Sequence, residues 1–263
     1  MLIALGDLAR GFELQAKGRQ AAERFGFASF LRHFQAEQTQ QDYWLGRWDA
    51  ALVGADTFVA EAEAGSPHYM EHACLQVRGL IRLARDDLPG ALADATTVAE
   101  LATQTRDVEA LLPALAFHAR ALLANRRVQD AGARASDVLA VLAERGALAT
   151  TPDWSGQLAV VLHALGRGSE LLELAASVAA PTAWLRAATA IAAGDFQQAA
   201  DRYVQIGSLP DEAFARLRAA EQLLGAGRDA DAKVQLQRAL AFYRQVGAAG
   251  YLREADALVA ASA

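Results

Sequence analysis

Seven short interruptions, each a Gly or a polar residue between two apolar helical runs, divide this chain into segments of similar length. The clearest is Ala192-Ala193-Gly194-Asp195-Phe196-Gln197-Gln198-Ala199-Ala200. A small residue ends one run, Gly supplies a left-handed C-cap, and Asp is placed to accept hydrogen bonds from the first N–H groups of the next helix. Phe196 and Ala199 then fall on the packing side. Variants begin at Gly6, Gly46, Asp86, Arg126 and Gly166, in four equal steps of 40 residues, and the series continues at Gly194 and Gly227. A helix hairpin of this length cannot bury its apolar face alone, whereas stacked neighbours can. The expected fold is therefore all-α, an α-solenoid of tandem antiparallel helix pairs.

The turns divide the chain into a single array over residues 1–263. A truncated first unit covers 1–25, with 8–25 as the second helix of a hairpin whose first helix is expected before Met1. Units follow at about 27–64, 68–103, 111–145, 154–178, 182–206 and 211–246, and a capping helix at 251–261 covers the end of the stack. The longest break, 146–153, is expected to bend the array. Pro67, Pro181 and Pro210 stand at unit starts, where a missing N–H costs little. In the last pair, Ala232, Leu236, Ala239, Leu240 and Tyr243 share one helical face. The first unit leaves an edge without a polar cap, a possible site of self-association.

Composition narrows the classes of function. The hydrophobic content of 53% is carried mainly by Ala and Leu, as suits stacked helices. A formal charge of -6 and a pI near 5.4 argue against a nucleic-acid partner, because phosphate binding needs clustered cations. Cys74 is the only cysteine, so neither an intramolecular disulfide nor a cysteine zinc cluster is available. The N-terminal stretch reaches Asp7 without a basic region, and no run of about 18 apolar residues occurs. A cytoplasmic protein with no membrane partner is expected.

The units resemble tetratricopeptide repeats. That family places a small residue about seven positions before the turn glycine, as at Gly79, Ala119, Ala159, Ala187 and Ala220, and an Ala five positions after it, as at Ala51, Ala91, Ala131, Ala199 and Ala232. Thr39 departs from the first pattern, and Gly11 and Leu171 from the second. The stretches 212–221, 237–248 and 251–255 resemble the C-terminal array of bacterial cyclase-linked signalling ATPases of the AAA (STAND) type. The resemblance implies a right-handed superhelix and a scaffold or sensor role, with none of the parent's catalytic residues present.

Motifs that could carry chemistry are few. His68-Tyr69-Met70-Glu71-His72 fits the H-x-x-E-H pattern, in which two histidines one helical turn apart bind zinc and the Glu activates water. A zinc hydrolase using His68, Glu71 and His72 is thus a remote alternative. Lys17 and Lys233 are the only lysines and neither stands in a phosphate-binding loop, so nucleotide hydrolysis is not expected. Gly166-Arg167-Gly168-Ser169 could hold an anion at a helix N-terminus but reads as a turn. No cofactor is expected.

What remains is a groove. In tetratricopeptide arrays the first helix of each pair lines the concave face. Counting back from each turn puts His33, Gln40, Tyr43, Trp44, Gln76, Leu80, Arg120, His163, Trp184, Phe214 and Glu221 there. Aromatics, amides and a few charges suit a protein or peptide ligand. The expected function is a non-catalytic protein-binding or peptide-binding array. The alternative is a small-molecule sensor, which a closed pocket near Trp184 or Trp154 would favour.

Overall fold

The structure, a computed structural model, describes residues 2–105, 107–145 and 153–261. The break expected at 146–153 lies, apart from Asp153, outside the described residues. The described chain is all-α, with fifteen helices: α1 Leu2–Leu5, α2 Leu8–Phe25, α3 Ala28–Trp44, α4 Trp48–Glu63, α5 Glu71–Ala84, α6 Leu88–Thr105, α7 Val108–Ala124, α8 Val128–Arg145, α9 Ser155–Ala164, α10 Gly168–Ala176, α11 Ala183–Ala192, α12 Phe196–Ile206, α13 Leu209–Gly225, α14 Asp229–Val246 and α15 Ala249–Ala261. Successive helices pack in antiparallel pairs. None is long and apolar enough to cross a membrane.

The turns set the pairing. Gly6, Gly46, Asp86, Arg126, Gly166, Gly194 and Gly227 all have positive φ, between 59° and 90°. At the 192–195 turn, the Asp195 N–H reaches back to the Ala190 carbonyl at 2.8 Å, closing the outgoing helix. Oδ1 of Asp195 accepts from the Gln198 N–H at 3.0 Å, opening the next one. Asp86 and Arg126 hold the left-handed conformation without being glycine, which costs each about 1 kcal/mol of backbone strain. Arg126 is exposed, so Arg126→Gly is expected to stabilise the chain by about 0.5 kcal/mol, after the entropy of a freer unfolded chain is subtracted. Urea unfolding of the two proteins checks this, and a destabilised variant would refute it.

The small residues of the repeat pattern lie inside. Ala51, Ala91, Ala119, Ala131, Ala159, Ala187, Ala199, Ala220 and Ala232 are all buried. A Cβ added at Gly79 would stand 2.5 Å from Cζ of Phe117, so the Phe117 ring of α7 occupies the space a side chain there would need.

Ahead of the first turn, α1 packs on α2 and α11, and the Trp184 Nε1–H donates to the Ile3 carbonyl at 2.8 Å. Two helix starts differ from expectation. Helix α5 begins at Glu71 rather than 68, because residues 68–70 form the preceding turn. Helix α7 begins at Val108, three residues early, because Asp107 caps it by accepting from the Glu109 N–H at 3.0 Å. Pro113 therefore lies inside that helix, where it removes one ladder hydrogen bond.

The first helices of successive pairs stand side by side, from α3 through α5, α7 and α9 to α11. The row then returns on itself: α13 meets α3, α15 meets α5, and α1 meets α11. Side chains hold the closure. Trp48 meets Phe242 edge to face at 5.6 Å, and Nη2 of Arg85 donates to the Val246 carbonyl at 2.9 Å.

Candidate functional site

A cleft of about 570 Å³ opens at the C-terminal ends of α5, α7 and α9, and α12, α13 and α15 complete it. Leu123, Val160 and Phe196 form apolar wall, while Arg120, Arg218, Glu221 and Glu254 bring charge. Four residues expected in the groove, Arg120, His163, Phe214 and Glu221, meet here.

Arg120 is the deepest charge. Its Nη1–H donates to Oε1 of Gln157 at 2.7 Å and its Nη2–H to the Tyr251 hydroxyl at 2.8 Å. The guanidinium carbon lies 4.6 Å from the centre of the Phe214 ring. Among the described residues no carboxylate pairs with it; both hydrogen-bond partners are neutral. Arg218 lies 5.5 Å from the same ring centre but is paired, with Glu221 at 2.9 Å and with Glu254 of α15. One guanidinium is thus ion-paired at the rim, while the other, below it, feels the Asp211 carboxyl without a direct ion pair. His163 packs edge to face on Phe196 at 5.0 Å.

Beneath Arg120 lies a polar layer. Tyr43 and Asp211 share a small void with Arg120, Phe214 and Tyr251. Burial pushes the Asp211 carboxyl up to about 6, against the opposing pull of the Ser208 hydroxyl and Arg120. The Ser208 hydroxyl donates to Oδ2 of Asp211 at 2.5 Å. Burial likewise holds the phenols of Tyr43, Tyr203 and Tyr243 well above their ordinary value, so all three stay protonated.

The other groove candidates lie elsewhere. His33, Gln40 and Trp44 line a second cleft, also about 570 Å³, between α3 and the N-terminal helices. Trp44 is buried between Phe12 and Trp184, with ring centres 6.3 and 5.9 Å away. Trp184 is itself 1% exposed, so this pair belongs to core packing. Leu80 is buried against Phe117. Gln76 is half-buried and lines neither cleft.

The H-x-x-E-H stretch borders a third cavity, of about 440 Å³. Because α5 starts at Glu71, His68 and His72 do not stand one turn apart on a helix. Nδ1 of His68 accepts from the Met70 N–H at 3.2 Å, and Nδ1 of His72 donates to the Tyr69 carbonyl at 2.6 Å. Among the described residues, no group of three or more His, Cys, Asp or Glu side chains is arranged to hold a metal ion. The Tyr69 phenol instead turns to His33, 2.6 Å away.

Sequence reasoning missed Arg218, Tyr251 and Glu254 as cleft residues. Tyr251 and Glu254 were expected in a cap, and only the return of α15 to α5 brings them to the site. The Arg218 signal was present, four residues after Phe214 on one helical face. The chain matches no protein-family model and no curated protein.

Proposed function

We propose that this chain is a non-catalytic sensor array of the tetratricopeptide type, a right-handed α-solenoid working in the cytoplasm as the regulatory part of a larger signalling protein. Its ligand is one compact molecule, held in the cleft formed by α5, α7, α9, α12, α13 and α15. The observation that carries this reading is Arg120, a deep cation with two neutral hydrogen-bond partners on the floor of the cleft. The opposing charge that acts on it, the Asp211 carboxyl, makes no hydrogen bond to it, so a ligand acceptor would supply a direct charged partner. The cleft volume lies within the range of small-molecule sites.

The same geometry supplies a way to signal. Arg120 of α7 and Tyr251 of α15 form one of the closing contacts and also line the cleft. A ligand that binds the closed arrangement better than an opened one shifts the balance between them by its difference in affinity.

Native mass spectrometry of the protein purified from its own cells tests the reading. The expected result is one small molecule per chain, lost in Arg120→Gln. A bare chain, or a small molecule retained by Arg120→Gln, would overturn it.

A protein partner is the second reading, and a separate observation favours it. Phe25, Phe27 and Phe30 are 55–63% exposed and adjoin one another, with ring centres 6.1 and 6.2 Å apart. An apolar row of this kind on a surface marks a docking site for another chain or a second copy. A protein that co-purifies with the wild type and is lost in Phe27→Ser would favour it.

A further inference from the structure

A second constellation lies apart from the cleft. Residues 64–70 connect α4 to α5 and lay Tyr69 against α3. The Tyr69 hydroxyl lies 2.6 Å from Nδ1 of His33, and Nε2 of the same ring lies 3.2 Å from Oε1 of Glu37, one turn along α3. The Glu37 carboxylate beside Nε2 favours a proton on that nitrogen, which leaves the Nδ1 lone pair to accept the phenol O–H. Oε2 of Glu37 is buried and has no hydrogen-bond partner among the described residues, so no second donor draws this carboxylate away from His33.

Tyr69 is nevertheless 66% exposed, with the His68 ring stacked 4.5 Å from its own. A hydroxyl nucleophile, a base within hydrogen-bond reach and a third group orienting that base are the parts covalent catalysis requires. Burial and Glu37 hold the phenol above its ordinary value. Free phenolate is therefore scarce near neutral pH, and an attack by this oxygen has to shed its proton as the new bond forms. The charge that acts on the phenol is the carboxylate of Glu37. A carboxylate beside the nucleophile opposes an anionic phosphoryl donor and tolerates a neutral acyl group.

We propose that Tyr69 is a base-assisted acyl acceptor for neutral, activated carboxylic esters. The phenolic oxygen attacks the carbonyl carbon and the bond from that carbon to the leaving oxygen breaks. The phenol proton passes to Nδ1 of His33 and then to the departing oxygen. The products are an ester on Tyr69 and the free alcohol. His33 is the base, Glu37 positions it, and the site is independent of the ligand cleft.

The probe is p-nitrophenyl acetate at neutral pH, read by release of p-nitrophenol and by peptide mass spectrometry. Tyr69 is expected to carry acetyl before any other tyrosine. Its rate should exceed that of N-acetyl-tyrosine amide in the same buffer by about 100-fold, the low end of what a placed base provides. Tyr69→Phe should remove the adduct, and His33→Asn should bring the Tyr69 rate down to about that of the free amide. The wild-type Tyr69 rate should rise less steeply with pH than that of the free amide, whose attack needs free phenolate, and a folded His33→Asn should regain the steep rise, which lost packing alone would not produce. If His33→Asn does not fold, Glu37→Gln replaces it, with an expected fall of about 10-fold. No acetyl on Tyr69, or equal rates in wild type and a folded His33 or Glu37 variant, would overturn the assignment.

Discussion

Gly168→Ala is expected to destabilise the protein by about 3 kcal/mol, roughly 6–12 °C in Tm for a chain of this size. Gly168 opens α10 and presses against the last turn of α11. A Cβ there would lie 2.1 Å from the carbonyl oxygen of Ala192 and 3.0 Å from its carbonyl carbon. Neither atom belongs to a side chain that could rotate away, so the two helices must separate. Helix α11 carries Trp184 and Leu185, both buried in the largest core cluster, and a shift there loosens packing well beyond the mutated residue. Gly166→Ala is the control, two residues away. Its φ is +69° and no atom lies within 4 Å of its added Cβ, so it should cost only the strain of the left-handed backbone, about 1 kcal/mol. Thermal melts of the two variants separate packing from conformation. Equal losses would refute the packing argument. The pair also gives a packing reason for the glycines of Gly166-Arg167-Gly168-Ser169. The first glycine makes the turn and the second makes room, while Arg167 next to them is paired with Glu170 at 2.6 Å.

Asp211→Asn is expected to stabilise the protein, and by an amount that depends on pH. Burial moves this carboxyl from 3.8 to about 6 in the folded chain. The folded value exceeds the unfolded one, so the folded state binds the proton more tightly. That stabilisation is fully present below about 4 and is lost as pH rises through about 6. Above pH 6 the wild type carries an ionised, poorly solvated carboxylate that asparagine lacks. The difference is worth about 1–3 kcal/mol, once the solvent contact that Asp211 retains is discounted. Asparagine can still accept the Ser208 hydroxyl hydrogen bond, so the change isolates the charge. Melts between pH 4 and 7.5 should show a Tm gain for the variant that is widest above pH 6 and closes toward pH 4. A gain independent of pH, or a loss, would refute the linkage.

Much of the fold is legible in the sequence because the turns obey local rules. A left-handed residue must follow each first helix, and the 40-residue spacing locates even Asp86 and Arg126, where no glycine marks the place. The small residues at fixed distances from each turn are buried for the same local reason. The site is less legible because it is made by the return of the row. Counting along first helices found Arg120, His163, Phe214 and Glu221, whose helices follow the repeat pattern. It could not find Tyr251 and Glu254, whose helix reads locally as a cap. It also counted Trp44 and Trp184 as groove residues, when closure places them against each other in the core. The pairing of His33 with Tyr69 was hidden for another reason. It depends on α5 starting at Glu71, and helix starts are weakly written where no capping side chain is present.

Return of the row also bears on how the chain folds. An open array of helix pairs has only near-neighbour contacts, can nucleate anywhere, and frays repeat by repeat. Here, bonds between Arg120 and Tyr251, Arg85 and Val246, and Trp184 and Ile3 join residues 131, 161 and 181 positions apart. Each such contact charges a loop-closure entropy before it returns any stability, which raises contact order and slows the last stage of folding. Once formed, these long-range contacts tie the fraying ends to the middle, so local opening at either terminus is coupled to disruption of the interior.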